Sequence, residues 1–290
     1  MDEALFTGTC TALVTPFLGD QVNYPMMERL LKRQVDAGIE AVIICGTTGE
    51  APTLTDAEKL ELFTRAKKYV GNGCKIIAGT GCNSTVHTLE LSKSASQCGV
   101  DGLLVVSPYY NKATNEGLIS HYIKVAQAVE LPIILYNVPS RTGLDIPLSV
   151  YQSLSMIENI VGIKEASSDI RKTTRILHDC GNRLTLWSGN DDMTVPMMSL
   201  GAKGVISVLS NIAPVQTQAM TQAALSGDYD TAAAIQIELQ PLIELLFCEV
   251  NPVPVKAAMK IIGFDCGHCR LPLSPMREEK YRQLEKMLLS

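Results

Sequence analysis

The chain has 290 residues, 46% of them hydrophobic and 19% charged, with 25 basic against 30 acidic side chains for a net charge of −5. That composition excludes disorder and fills either one large α/β domain or two ordinary ones. The acidic balance leaves no basic stripe for nucleic acid or for an anionic membrane surface. No apolar run approaches the ~18 residues of a membrane span. The opening MDEALF lacks a basic-then-apolar signal pattern, so a cytoplasmic protein is expected. The nine cysteines sit mostly in apolar contexts, which points to reduced, buried thiols rather than a disulfide frame.

In chain order, TCTALVTPF (9–17) reads as a first buried strand and 25–37 as a helix. AGIEAVIICG (37–46) closes that helix with a glycine and starts a β-branched run without alternation, the mark of a strand buried on both faces. A helix over 56–70, a strand in KIIAGTG (75–81) and a helix over 85–98 follow. The same unit recurs in CGVDGLLVVSP (98–108) with a helix over 115–129, and in LPIILYNVP (131–139) with a helix over 147–157. NIVGIKE (159–165), LTLWSG (184–189) and LGAKGVISV (200–208) complete eight strands, with helices over 169–179, 191–200 and 214–226. Several of these helices open on Asp, Asn, Thr or Pro, as helix starts favour.

Eight even strand–helix units predict a closed (β/α)8 TIM barrel, an α/β fold, over 1–226. An open doubly wound sheet is the alternative, but no G-x-G-x-x-G follows the first strand. Three more helical stretches, near 228–247, 253–262 and 275–288, predict a C-terminal three-helix extension, 227–290, packed on the barrel within a single domain. No low-complexity linker divides the chain.

In such barrels chemistry sits at the C-terminal ends of the strands. Those ends carry Thr47 and Thr48, Tyr109 and Tyr110, Tyr136 and Arg141, Lys164, Gly189 and Ile206. Lys164 closes the run IVGIK, where a charge needs a partner, an outlet or a task. By strand alternation it shares a face with Ile160 and Gly162, and Gly162 is expected to leave room beside the lysine stem. Desolvation there favours the neutral amine, a nucleophile that forms a Schiff base with a carbonyl. A structural lysine paired with Glu165 is the other reading. Tyr136 fits a proton relay with Thr47, against a plain core tyrosine. Thr47-Thr48 is either a turn or a backbone nest for a carboxylate. Arg141 suits a bidentate carboxylate, against a surface arginine with an acidic partner.

Taken together, Gly46-Thr-Thr-Gly-Glu50, Tyr136-Asn-Val-Pro-Ser-Arg-Thr-Gly143 and Gly162-Ile-Lys-Glu-Ala166 resemble the dihydrodipicolinate synthase family, within the N-acetylneuraminate lyase superfamily. The resemblance runs from Gly8-Thr-Cys-Thr-Ala12 to Leu271-Pro-Leu273. It implies condensation of pyruvate with L-aspartate-4-semialdehyde, the first committed step towards diaminopimelate and lysine. Lys164 is then the imine-forming residue, and Tyr136, Thr47 and Tyr110 the proton relay, with Tyr110 reaching into a neighbouring subunit. Thr48 binds the pyruvate carboxylate, Arg141 holds the semialdehyde, and Gly189 and Ile206 line the lysine's pocket. The resemblance further implies a homo-oligomer, typically a dimer of dimers, with no metal and no cofactor beyond the covalently bound pyruvate.

One departure concerns a lysine-binding cavity between subunits in that family. Asn83 and Tyr109 match it, but His87 stands where a glutamate is expected, and Asp56 and Lys59 where two histidines are expected. Weak lysine feedback follows. A pyruvate-dependent sugar-acid lyase and a catalytically inactive binding barrel are the competing functions. A phosphate-binding barrel is a further one, although WSGNDD and ISVLSN lack the glycine-rich form it needs. Cys266-Gly-His-Cys269 has redox or zinc spacing, but the prolines that follow block a helix and no second pair completes a zinc set, so an incidental surface loop is expected.

Overall fold

The structure, a computed structural model, describes residues 4–289; the first residues of MDEALF, 1–3, lie outside the described residues. Eight parallel strands close a barrel: β1 (Gly8–Ala12), β2 (Ala41–Ile44), β3 (Lys75–Gly79), β4 (Gly102–Val106), β5 (Ile133–Asn137), β6 (Ile160–Glu165), β7 (Thr185–Ser188) and β8 (Gly204–Ser207). Each strand pairs with the next, and β8 returns to β1 through the register Gly8↔Gly204 to Thr11↔Ser207. The barrel reading holds and the open sheet does not. Outside the strands lie α1 (Tyr24–Asp36), α2 (Asp56–Val70), α3 (Thr85–Gln97), α4 (Asn115–Ala126), α5 (Leu148–Leu154), α6 (Ile170–Cys180), α7 (Thr194–Ser199) and α8 (Pro214–Leu225). Three further helices follow: α9 (Tyr229–Leu246), α10 (Val253–Ile261) and α11 (Glu278–Leu289). Among the described residues no helix is long and apolar enough to cross a membrane.

Strand alternation splits the core in two. Cys10, Ala41, Ile43, Ile77, Ile134 and Trp187 face the barrel axis, with Phe6 stacked on Trp187 at 4.6 Å between ring centroids. Their neighbours Val42, Ile44, Ile76, Leu103, Leu135 and Ile163 face the helices. This explains the unalternated apolar runs: both faces of every strand are buried.

Several element boundaries differ from the sequence reading, and three of them have a clear local reason. The first strand ends at Ala12, because Val14 N–H turns to Asn211 Oδ1. α4 stops at Ala126, where Asn159 Nδ2 donates to the carbonyls of Ala126 and Val129 at 3.0 and 2.9 Å. The helix expected from Asp191 is a 3-10 turn, Asp191–Met193, before α7. Its carboxylate is not a cap: Asp191 Oδ2 accepts the N–H groups of Val208 and Leu209, both at 3.0 Å.

Gly162 needs a different explanation from the expected one. A Cβ there would lie 2.4 Å from Thr185 O and 2.4 Å from the Trp187 ring. The missing side chain therefore makes room for the indole and the neighbouring strand, not for the lysine stem. Gly162→Ala is expected to lower stability by roughly 1–3 kcal/mol through overpacking. Urea unfolding checks this, and an unchanged midpoint would contradict it.

Candidate active site

The sixth strand places two side chains with opposite surroundings. Lys164 is 5% exposed and lies 4.5 Å from the centre of the Tyr136 ring. The two are register partners on β6 and β5. Among the described residues the Lys164 ammonium has neither an ion-pair nor a hydrogen-bond partner. Glu165 points the other way, towards α5 and α6. Its carboxylate accepts from Asn137 Nδ2 at 2.9 and 3.1 Å, from Ser167 N at 2.8 Å and from Tyr151 OH at 3.4 Å, with Lys172 Nζ 3.8 Å away. The Lys164–Glu165 pair considered in the sequence is therefore absent. Burial, and next the charge of Glu165, push the Tyr151 phenol well above its ordinary range. Burial also raises the Asp191 carboxyl, against hydrogen bonds from Ser207, Leu209 and Val208 and the charge of Lys164.

The loop after β2 forms the second part of the site. Cys45 takes a left-handed φ of 57° and crosses β3 where Gly79 sits; a Cβ on Gly79 would lie 2.2 Å from Cys45 O. The loop then closes on itself, with Gly49 N donating to Gly46 O and Glu50 N to Thr47 O, each at 3.1 Å. Among the described residues, the amides of Thr47 and Thr48 have no acceptor. Two free N–H groups in a tight turn are what a carboxylate requires.

Three anchors hold this loop, and sequence reading found none of them. Thr15 Oγ1 donates to Gly49 O at 2.7 Å. Asn251, between α9 and α10, donates from Nδ2 to Thr48 Oγ1 at 3.0 Å, while its carbonyl accepts from Arg141 Nη2 at 3.1 Å. One residue thus connects both groups expected to meet carboxylates. Finally, Lys256 on α10 spends its three donors on Glu50 Oε1 (2.9 Å), Thr15 O (3.1 Å) and His268 O (2.9 Å). Lys256 and Glu50 are 3% and 2% exposed. The signals were present as Asn251-Pro252 and as a lysine in the apolar run VPVKAAM, but their partners on the Gly46–Glu50 turn lie over 200 positions away.

The Cys266–Cys269 loop is not an incidental surface loop. Cys266 is fully buried, its carbonyl accepts from Phe17 N at 2.9 Å, and Arg270 N donates to Glu50 Oε2 at 2.8 Å. Both thiols are free, and burial raises each to about 12.

Thr47, Tyr136 and Arg141 line a cavity of about 610 Å³ that also takes in Asn83, Tyr109 and His87. Asp56 and Lys59 line it as well. Thr48, Lys164 and Ile206 lie buried next to this region, and Gly189 N donates to Glu165 O at 2.7 Å. Tyr110 is apart from the rest: it is 92% exposed, with a left-handed φ of 71°. Arg141 is exposed and meets a carbonyl rather than an acidic partner.

A closed barrel with an unpaired, buried lysine at the end of its sixth strand, faced by a tyrosine and a free-amide turn, defines a lyase of the amine-dependent aldolase class. Residues 5–290 match the dihydrodipicolinate synthetase family, and the chain belongs to it. A protein of Acetivibrio thermocellus named 4-hydroxy-tetrahydrodipicolinate synthase is 44% identical over 288 residues, 99% of this chain and 98% of its own. The crystal structure of dihydrodipicolinate synthase from Aquifex aeolicus superposes with a TM-score of 0.96 at 42% identity, covering 98% and 97% of the two chains. A structure described as the first monomeric dihydrodipicolinate synthase variant gives 0.96 at 40% identity, covering 98% and 96%.

Lys256→Met leaves the Glu50 carboxylate buried without its cation, and is expected to cost roughly 3–5 kcal/mol. Adding Glu50→Gln should recover much of that loss. Denaturant melts of both variants check this; a single variant as stable as the parent would contradict the anchoring.

Proposed function

We propose that the chain catalyses Schiff-base condensation of pyruvate with L-aspartate-4-semialdehyde to 4-hydroxy-tetrahydrodipicolinate. The observation that carries this reading is Lys164: buried, with no ion-pair or hydrogen-bond partner among the described residues, and set over the Tyr136 ring. Such a lysine is placed for imine chemistry, because no hydrogen bond or ion pair among the described residues ties its amine away from a carbonyl.

The proposed steps are these. The Lys164 amine adds to the pyruvate ketone, and the carbinolamine loses its hydroxyl as water with a proton relayed through Tyr136. Thr47 passes that proton between hydroxyls, and Tyr110 of the partner subunit links the relay to solvent. The protonated imine draws electrons from the methyl group, which loses a proton and becomes an enamine carbon. That carbon bonds to the aldehyde carbon of the semialdehyde. The semialdehyde's amine then attacks the imine carbon and displaces Lys164, closing the ring. The amides of the Thr47–Thr48 turn hold the pyruvate carboxylate, and Arg141 holds that of the semialdehyde. Gly189 and the carbonyl of Ile206 line the pocket beside the lysine. The covalently bound pyruvate supplies its own electron sink, so the reaction needs no metal and no organic cofactor.

An exposed tyrosine in a left-handed conformation is a poor element of an isolated protomer, which supports a dimer as the catalytic unit and a dimer of dimers as the assembly. Nine free cysteines support a reducing, cytoplasmic setting.

Three outcomes test the reading. Turnover of pyruvate with L-aspartate-4-semialdehyde should exceed that with N-acetylmannosamine by orders of magnitude, and Arg141→Leu should raise KM for the semialdehyde far more than for pyruvate. The reverse acceptor preference would favour a sugar-acid lyase. Mixing Tyr110→Phe with Lys164→Ala chains should restore activity that neither has alone; no recovery in mixed assemblies would refute a shared site. Lysine should inhibit weakly, because the Asp56 carboxylate in the cavity is already engaged by His87 Nε2 at 2.8 Å and Lys59 Nζ at 3.3 Å. Strong, saturable inhibition would contradict this.

A further inference from the structure

A second cluster of reactive groups lies in the same cavity and takes no part in the condensation. Cys82 Sγ is 3.6 Å from His87 Nδ1, and His87 Nε2 is 2.8 Å from Asp56 Oδ2. The other Asp56 oxygen accepts from Lys59 Nζ at 3.3 Å. The order is nucleophile, base, orienting carboxylate, the arrangement that activates a side chain for attack. The tautomer follows from the far hydrogen bond: Nε2–H donates to Asp56, which leaves the Nδ1 lone pair facing the thiol. Partial burial works to raise the Asp56 carboxyl, but the hydrogen bonds from His87 and Lys59 hold it below its ordinary value. Asp56 is therefore an anion when the imidazole takes a proton.

The sulfur is served from its other side as well. Ser84 N lies 3.4 Å and Thr88 Oγ1 3.3 Å from Sγ, and the cysteine sits just ahead of α3, whose first turn presents its amides. The three groups form a chain in which the carboxylate uses the far ring nitrogen. They do not converge on a point, so they make a poor metal site; among the described residues no metal-holding cluster occurs. Cys82 and His87 are half-buried and line the cavity that Thr47, Tyr136 and Arg141 also line. Cys82 Sγ also lies 3.4 Å from Ser84 O, and what sets it apart is the imidazole: Cys98 Sγ faces only the carbonyls of Leu60 and Ser94, at 3.7 and 3.4 Å, among the described residues. Burial raises Cys248 and Cys269.

We infer that Cys82, activated by His87 and Asp56, is a covalent modification site for low-molecular-weight disulfides, and that the attached group obstructs the reaction cavity. The thiol proton passes to His87 Nδ1. The thiolate attacks one sulfur of the disulfide; one S–S bond breaks and one forms. The departing thiolate recovers the proton from the imidazolium, so one free thiol is released for each chain modified and no further oxidant is consumed.

Oxidised glutathione tests this on the intact assembly. Peptide mapping should place one glutathione on Cys82, with one thiol released per chain and activity lost until dithiothreitol restores it. Cys82→Ser should retain activity and escape inhibition. His87→Asn keeps the thiol but should slow its modification on the order of tenfold or more. Modification spread over Cys98, Cys248 and Cys269, an unreactive Cys82, or an unchanged rate in His87→Asn would overturn the inference. Modification of Cys82 with full activity would overturn its obstructing role. The mass readout does not depend on the condensation, so a failure here is distinguishable from a failure of the proposed reaction.

Discussion

The structure depends on a single alternation at the ends of β5 and β6. Tyr136 and Lys164 face the barrel axis, and the next residue of each strand, Asn137 and Glu165, faces the helices. A slip of one residue in either strand would exchange the two pairs and place a carboxylate where the amine belongs. The outward pair resists that slip. Asn137 donates to Glu165 and accepts from Ile146 N at 3.0 Å, and Glu165 is further held by Ser167 and Tyr151. A buried polar network of this kind is stable only when its members are satisfied, and in one register they are. Among the described residues the inward pair has no such partners, which suits its lysine to the proposed chemistry.

The remaining groups are positioned by chain far from the barrel's own repeats. α10 and the loops on either side of it bind the Gly46–Glu50 turn through Lys256, Asn251 and Arg270. The C-terminal extension thus fixes the turn that carries Thr47 and Thr48. Asn251 ties that turn to Arg141, so the two proposed carboxylate holders share one support.

The periodicity of the sequence carries most of the fold. Eight apolar runs between amphipathic stretches specify parallel strands buried on both faces, and their even repeat without a G-x-G-x-x-G after the first strand favours the closed barrel over an open sheet. Within the site, Lys164 was legible as a charge ending an apolar run, and Thr47, Tyr136 and Arg141 as polar groups at strand ends. What was not legible depends on long-range contacts. The partner of Lys256 is 206 positions away, that of Asn251 203, and no local pattern encodes either. Gly162 was read as space for a lysine, whereas it is space for Trp187 from the next strand. The Cys266–Cys269 loop was read as surface because the prolines after it block a helix and no second cysteine pair completes a zinc set, whereas Cys266 is buried and bonded to Phe17 N from the far end of the chain.

The central claim is that Lys164 is the amine that forms the imine. Borohydride reduction in the presence of pyruvate, followed by intact mass and peptide mapping, tests it most directly. The account predicts one pyruvate-sized adduct per chain, confined to the Lys164 peptide and absent without pyruvate. Folded protein with no adduct, or an adduct on another lysine, would contradict it.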